Sequence, residues 1–138
     1  MTPITDEGLR HISGFKQLQT LFLPNTQITD KGLRYLSNLE QLNYLILSGT
    51  NITDEGLHHI SNLKQLRGLG LSWTRITDEG LRNLTNLEHL ETLHLNGNQI
   101  TGEGFRHIIG LTRLGYIGLK ETTVTSKMKE YLRQRGLT

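Results

Sequence analysis

The chain contains no cysteine, which removes disulfides and thiolate metal sites and gives no support to a disulfide-stapled extracellular form. It has no apolar run near the ~18 residues that a membrane span needs. Its first ten residues, MTPITDEGLR, lack a basic n-region and an apolar h-region, so no signal peptide is expected. Formal charge is only +2, with acids and bases interleaved, which argues against a dedicated nucleic-acid surface. There is no Pro/Ser/Gly tract, no low-complexity segment and no block of like charge. Together these absences predict one soluble, cytoplasmic domain over residues 1–138, with neither nucleic acid nor membrane as a partner.

What is present is repetition. The stretch ITDEGLHHISNLKQLRGLGLSWTR (52–75) recurs at a spacing of 24 residues, as ITDKGLRYLSNLEQLNYLILSGTN (28–51) and ITDEGLRNLTNLEHLETLHLNGNQ (76–99). One further step each way gives ITDEGLRHISGFKQLQTLFLPNTQ (4–27) and ITGEGFRHIIGLTRLGYIGLKETT (100–123). A shortened and altered segment, 124–138, ends the chain. Most of the 15 glycines therefore belong to fixed repeat positions and are no sign of disorder.

Each unit reads as one short helix followed by one strand. Thr5, Thr29, Thr53, Thr77 and Thr101 stand where an N-cap is expected, before an acidic first turn. Asp6, Asp30, Asp54 and Asp78 are followed four residues on by Arg10, Arg34, His58 and Arg82, a spacing that predicts pairing along each helix. Gly14, Asn38, Asn62, Asn86 and Gly110 share one position and predict a left-handed helix stop after about two turns, with Phe15, Leu39, Leu63, Leu87 and Leu111 supplying its apolar contact. The pairs Leu21/Leu23, Leu45/Leu47, Leu69/Leu71, Leu93/Leu95 and Ile117/Leu119 alternate with variable residues, the period of a half-buried strand. Thr26, Thr50, Thr74, Asn98 and Thr122 follow, placed to satisfy the turning backbone from inside. The glycine of each DEG (Gly8, Gly32, Gly56, Gly80, Gly104) costs about 1 kcal/mol in a helix against Ala; its recurrence predicts close packing on the neighbouring repeat. No repeat can bury its apolar face alone, so stacking makes the core. The expected fold is α/β: a right-handed solenoid arc with a parallel sheet on the concave side and short helices on the convex side.

The pattern L-x-x-L-x-L-x-x-[TN]-x-I-T-D-E-G-L covers essentially the whole chain and resembles leucine-rich repeat proteins. Its ITDEGL half is similar to the cysteine-containing subclass found in F-box proteins, but here the cysteine position holds Thr26, Thr50, Thr74, Asn98 and Thr122. In that respect the units look more like bacterial T-x-I/V-T-D-x-G-L repeats such as those abundant in planctomycetes. No F-box or other effector segment accompanies them, so no ubiquitin-ligase role carries over. The resemblance implies a protein- or peptide-binding scaffold and no reaction.

The residues themselves offer no convergent catalytic or metal set and call for no cofactor. His11, His59 and His107 sit two repeats apart, roughly 10 Å or more, too far to share a metal ion. The glycines obey the repeat and not a phosphate-loop spacing. The concave strand positions, by contrast, vary between copies that otherwise agree, and they hold Phe22, Tyr44, Ile46, His94 and Tyr116. Trp73 at the concave rim and Arg67 beside the sheet complete the candidate ligand-binding set. Clustered exposed aromatics are the composition of interface hot spots. Gly68 and Gly70 are expected to leave a floor free of side chains, and Trp73 is flanked by Gly49 and Gly97. Five strands at ~4.8 Å spacing give a footprint near 400 Å², about half of the ~800 Å² per partner of a standard interface.

The two ends differ. Lys127, Lys129, Arg133 and Arg135 surround Met128, Tyr131 and Leu132, predicting an amphipathic capping helix in 124–138. No such cap precedes the first unit, so its apolar side is expected to be open; self-association through that end is the alternative reading of function.

Overall fold

Leu21, Leu45, Leu69, Leu93 and Ile117 stand side by side in one row, because the five strands that carry them pair at a constant offset of one repeat. The structure is a computed structural model that describes residues 3–138. The strands are β1 (Thr20–Phe22), β2 (Tyr44–Ile46), β3 (Gly68–Gly70), β4 (Thr92–His94) and β5 (Tyr116–Gly118), and they form one parallel sheet in sequential order. Isolated bridges from Thr5 to Gln27, Thr29 to Asn51, Thr53 to Arg75 and Thr77 to Gln99 tie consecutive repeats together beyond the sheet. The strand leucines, the L-x-x-L residues and the isoleucine of each ITDEGL in the second to fifth repeats fill one continuous core. This is the expected solenoid of strand–helix units.

The outer layer departs from the sequence-based expectation. Only α1 (Asp6–Ile12) runs as a continuous α-helix across its repeat. In the next two repeats a single turn, α2 (Asp30–Leu33) or α3 (Asp54–Leu57), tightens at once into a 3₁₀ segment, Arg34–Leu36 or His58–Ile60. The fourth and fifth units are 3₁₀ throughout, Asp78–Leu84 and Glu103–His107. Segments this short gain little from α-helical propagation, so packing of the apolar face decides, and the 3₁₀ geometry presents it with fewer residues.

The expected left-handed stop is absent for the same reason. None of Gly14, Asn38, Asn62, Asn86 or Gly110 has a positive φ. The tight turn simply continues: the N–H groups of Phe15, Leu39, Leu63, Leu87 and Leu111 donate to carbonyls three residues back at 2.9–3.0 Å. Phe15 departs further, since it is 60% exposed whereas Leu39, Leu63 and Leu87 are fully buried.

The aspartates also act differently from their local spacing. Asp6, Asp30 and Asp54 reach into the next repeat, where each accepts from the backbone N–H of Thr29, Thr53 or Thr77 at 2.8 Å and from the hydroxyl of the same threonine. The arginines thus left over pair at i,i+3, Arg10 with Glu7 and Arg82 with Glu79. A charge-assisted bond to a half-buried backbone donor outweighs an exposed ion pair worth a few tenths of a kcal/mol. The DEG glycines make room for this arrangement, because a side chain on Gly32, Gly56 or Gly80 would run into Asp6, Asp30 or Asp54. Thr29, Thr53 and Thr77 accept from the N–H two residues on, as caps do; Thr5 makes no such side-chain bond.

In the fifth repeat Gly102 stands where the others have Asp, with φ +113. That turn wraps the backbone around Asp78, which accepts from the Thr101 N–H and hydroxyl and from the Gly102 and Gly104 N–H groups at 2.7–3.1 Å. Burial pushes the Asp78 carboxyl up, but the bonds from Gly104, Thr101 and Gly102 together outweigh it and hold the carboxyl below its ordinary value. A depressed folded pKa means that this contribution is complete above the unfolded value near 4 and is lost as pH falls through the folded one. Melting temperatures between about pH 5 and pH 2 are expected to fall less steeply for Asp78→Asn than for the wild type. Parallel curves would mean that the nest does not favour the anion.

The inner turns behave as expected. The Thr26, Thr50, Thr74 and Thr122 hydroxyls donate to carbonyls three residues back at 2.6–3.0 Å. Asn98 spans two repeats: its Nδ2 donates to Leu71 and Leu95, while Oδ1 accepts from Thr74 and Ile76. At the C-terminal end α4 (Ser126–Gln134) is capped by Thr125, and the Leu137 carbonyl accepts from the Ile117 N–H at 2.6 Å on the otherwise free edge of β5. At the other end Ile4, Gly8, Leu9, Ile12, Leu21 and Leu23 line an open groove of about 430 Å³.

Candidate binding face

Strand alternation turns two rows of side chains onto the concave surface. The first runs Thr20, Tyr44, Gly68, Thr92, Tyr116 and the second Phe22, Ile46, Gly70, His94, Gly118. Phe22 is 64% exposed and Tyr44 44%; Ile46 and His94 are half-buried. Phe22 pairs directly with Ile46 across the strands, and Tyr44 stands beside it on the same strand face. The His94 and Tyr116 rings meet at 5.2 Å, tilted by 49°. The face thus carries an apolar cluster over β1 and β2 and an imidazole–phenol pair over β4 and β5.

Between them the glycine floor is not bare. A side chain on Gly68 would meet Tyr44 Cδ1 at 2.7 Å, and one on Gly70 would meet Ile46 Cδ1 at 2.8 Å. Tyr44 and Ile46 therefore lean one repeat forward and cover both glycines, which are buried. The expectation of an open floor is corrected: the space left by the missing side chains is filled from the preceding strand. Asn96 leans over Gly118 in the same way.

Trp73 lies outside both rows. Asn25, Gly49, Trp73, Gly97 and Glu121 occupy the position where the chain leaves the sheet, and all five adopt positive φ, from 55° to 74°. Glycine is at ease there, whereas a bulky residue is an outlier whose strain is commonly kept for a function. The indole lies across the backbone of Gly97, where any added Cβ would collide with its six-membered ring, and it remains 55% exposed. Asn25 covers Gly49 likewise, so each of these two side chains lies over the glycine of the following repeat. Arg67 is set apart on the rim before β3, paired with Glu91 at 3.4 Å and exposed like it to about half. Of the seven candidate residues, then, three gather in one cluster, two in another, and Trp73 and Arg67 stand separately at the margins. Asn96 and Lys120, which share this face and are linked by the Lys120 N–H to Asn96 Oδ1 at 2.8 Å, lie outside the candidate set because neither residue type marks a hot spot.

Comparison with known proteins agrees with the geometry. The family described as Leucine Rich repeat matches residues 40–61, 62–84 and 86–106. The crystal structure of the internalin inlF from Listeria monocytogenes superposes with a TM-score of 0.79 over 94% of this chain, at 29% identity. The fold is a leucine-rich repeat solenoid. The internalin C2 of the same organism matches with a TM-score of 0.69 over 79% of the chain, also at 29% identity. The chain spans only 36% and 45% of those two structures. A plant peptide hormone receptor, RGFR1, solved in complex with RGF2, shares the fold at 22% identity and a TM-score of 0.61, over 83% of this chain and 19% of its own. No curated protein sequence matches the chain.

The chemistry this repeat face offers is contact chemistry: aromatic and aliphatic surface, one imidazole, amides and hydroxyls. Among the described residues no group of three or more His, Cys, Asp or Glu is placed to hold a metal ion. None of the helices among them is long and apolar enough to cross a membrane.

Proposed function

We propose that this chain is a non-catalytic protein- or peptide-binding module that engages its partner through the concave sheet, in a cytoplasmic setting consistent with its lack of cysteine. The observation that carries this reading is the cluster of exposed Phe22 and Tyr44 with half-buried Ile46, held in place by strand register and by the glycines beneath. Aromatic anchors at the centre of a patch supply most of an interface's affinity, and a rigid support lowers the ordering cost of binding. A plant peptide hormone receptor that shares this fold was solved in complex with RGF2. Affinity capture followed by mass spectrometry tests the reading. Partners retained by the wild type are expected to be lost from a Phe22→Ala/Tyr44→Ala/Trp73→Ala variant whose circular dichroism is unchanged. The same partners on both would locate binding elsewhere.

A second reading, self-association through the N-terminal end, is favoured by the apolar groove there and by exposed Ile4. It predicts a concentration-dependent mass that Ile4→Asp abolishes.

A further inference from the structure

Lys16, Glu40, Lys64 and Glu88 occupy one position in four successive repeats. They lie on the rim where the chain passes from the helical layer to the strand, and all four are exposed. Among the described residues none of them takes part in an ion pair. The signs run plus, minus, plus, minus. Such a row complements itself when reversed about a two-fold axis passing between Glu40 and Lys64, the symmetry of an isologous dimer.

We propose that this rim is a homodimer interface in which two copies lie flank to flank with their repeats running in opposite directions. Lys16 then faces the partner's Glu88 and Glu40 faces the partner's Lys64, giving four ion pairs by symmetry. The adjoining row agrees with this arrangement: Gln41 meets the partner's Gln65, and Gln17 meets the partner's His89. Phe15, exposed on the same rim, comes alongside a cavity of about 330 Å³ bordered by Glu88, His89 and Thr112, the kind of recess in which an aromatic anchor sits. Exposed ion pairs are individually weak and screened by salt, and the patch is smaller than a standard interface. The dimer is therefore transient and ionic. Its axis runs from the concave to the convex side, so both sheets open the same way and the ~400 Å² of one concave face is doubled. The interface is separate from the concave face, and its test does not depend on the binding reading.

Opposite charges on adjacent repeats also attract within one chain, and that account alone requires a monomer. Sedimentation velocity separates the two. The wild type is expected to dimerise at low salt, with a dissociation constant weakened about tenfold or more at ~0.5 M salt. Lys16→Glu/Lys64→Glu makes the row wholly acidic and Glu40→Lys/Glu88→Lys makes it wholly basic; each variant alone is expected to be monomeric. Mixed in equal amounts, the two variants are expected to associate, and the fourfold inversion carrying all four changes is expected to dimerise as the wild type does. A wild type that stays monomeric at low salt and high concentration overturns the proposal. So does a dimer that persists in the acidic variant, or a mixture that fails to associate.

Discussion

Leu69→Ala is expected to lower stability by about 2–5 kcal/mol, while Trp73→Ala, four residues further on, costs about 1 kcal/mol or less. Leu69 is fully buried at the centre of the row that all five strands share, so its truncation leaves a cavity between two repeats on each side. Trp73 is larger, yet its ring lies over Gly97 and it remains 55% exposed. It also holds a left-handed backbone, which costs a residue with a Cβ roughly 1–2 kcal/mol. Trp73→Gly is therefore expected to melt at or above the temperature of Trp73→Ala, because glycine relieves that cost. Thermal melts of the three variants side by side decide the matter. A loss for Trp73→Ala as large as that for Leu69→Ala would make the indole part of the core.

The second large effect is one of coupling. Asp54 seats its carboxylate against the Thr77 N–H and hydroxyl, in the space that a side chain on Gly80 would otherwise occupy. Asp54→Ala removes both acceptors and leaves a half-buried backbone donor without a partner, a loss of about 2–4 kcal/mol. Gly80→Ala alone drives a methyl group into the carboxylate and is expected to cost about 1–3 kcal/mol. In the Asp54→Ala background most of that collision is gone, and alanine gains up to ~1 kcal/mol over glycine in a helical segment. The double variant should therefore be at least as stable as Asp54→Ala, with a coupling energy above about 1 kcal/mol in denaturant unfolding. Additivity within ~0.5 kcal/mol would show that the two groups do not compete for one seat.

That pair also marks the boundary of what the amino-acid order discloses. The strands were legible because their leucines alternate at period two and recur every 24 residues, so both pairing and register follow from a single offset. The threonines of the inner turns were legible for the same reason. Asp54 was not: four residues from His58 it fits a local pairing rule, and nothing in its neighbourhood reveals that its acceptor atoms serve a threonine 23 residues on. The left-handed row was hidden by residue type. Asn38, Asn62 and Asn86 look like such positions and are not, whereas the row itself includes a tryptophan and a glutamate. The apolar spacing that predicted helices suits α and 3₁₀ turns alike. On the binding face, the set of outward residues could be read from alternation, but not the forward lean of Tyr44 and Ile46 that closes the glycine floor. Lean is a choice of rotamer made against the next repeat.

A similar lean at the margin of the sheet alternates from one repeat to the next. At the point where the chain leaves the sheet, Asn25 and Trp73 are each followed one repeat later by a glycine that accepts their side chain, Gly49 and Gly97. The rim charges alternate in step, Lys16 and Lys64 against Glu40 and Glu88. The margin of the array therefore repeats over 48 residues: duplicating 28–75 would set Trp73 against a copy of Gly49 and keep the charge alternation intact. Duplicating 52–75 alone would set one Trp73-type indole against another, with no glycine to lie on, and two lysines side by side on the rim.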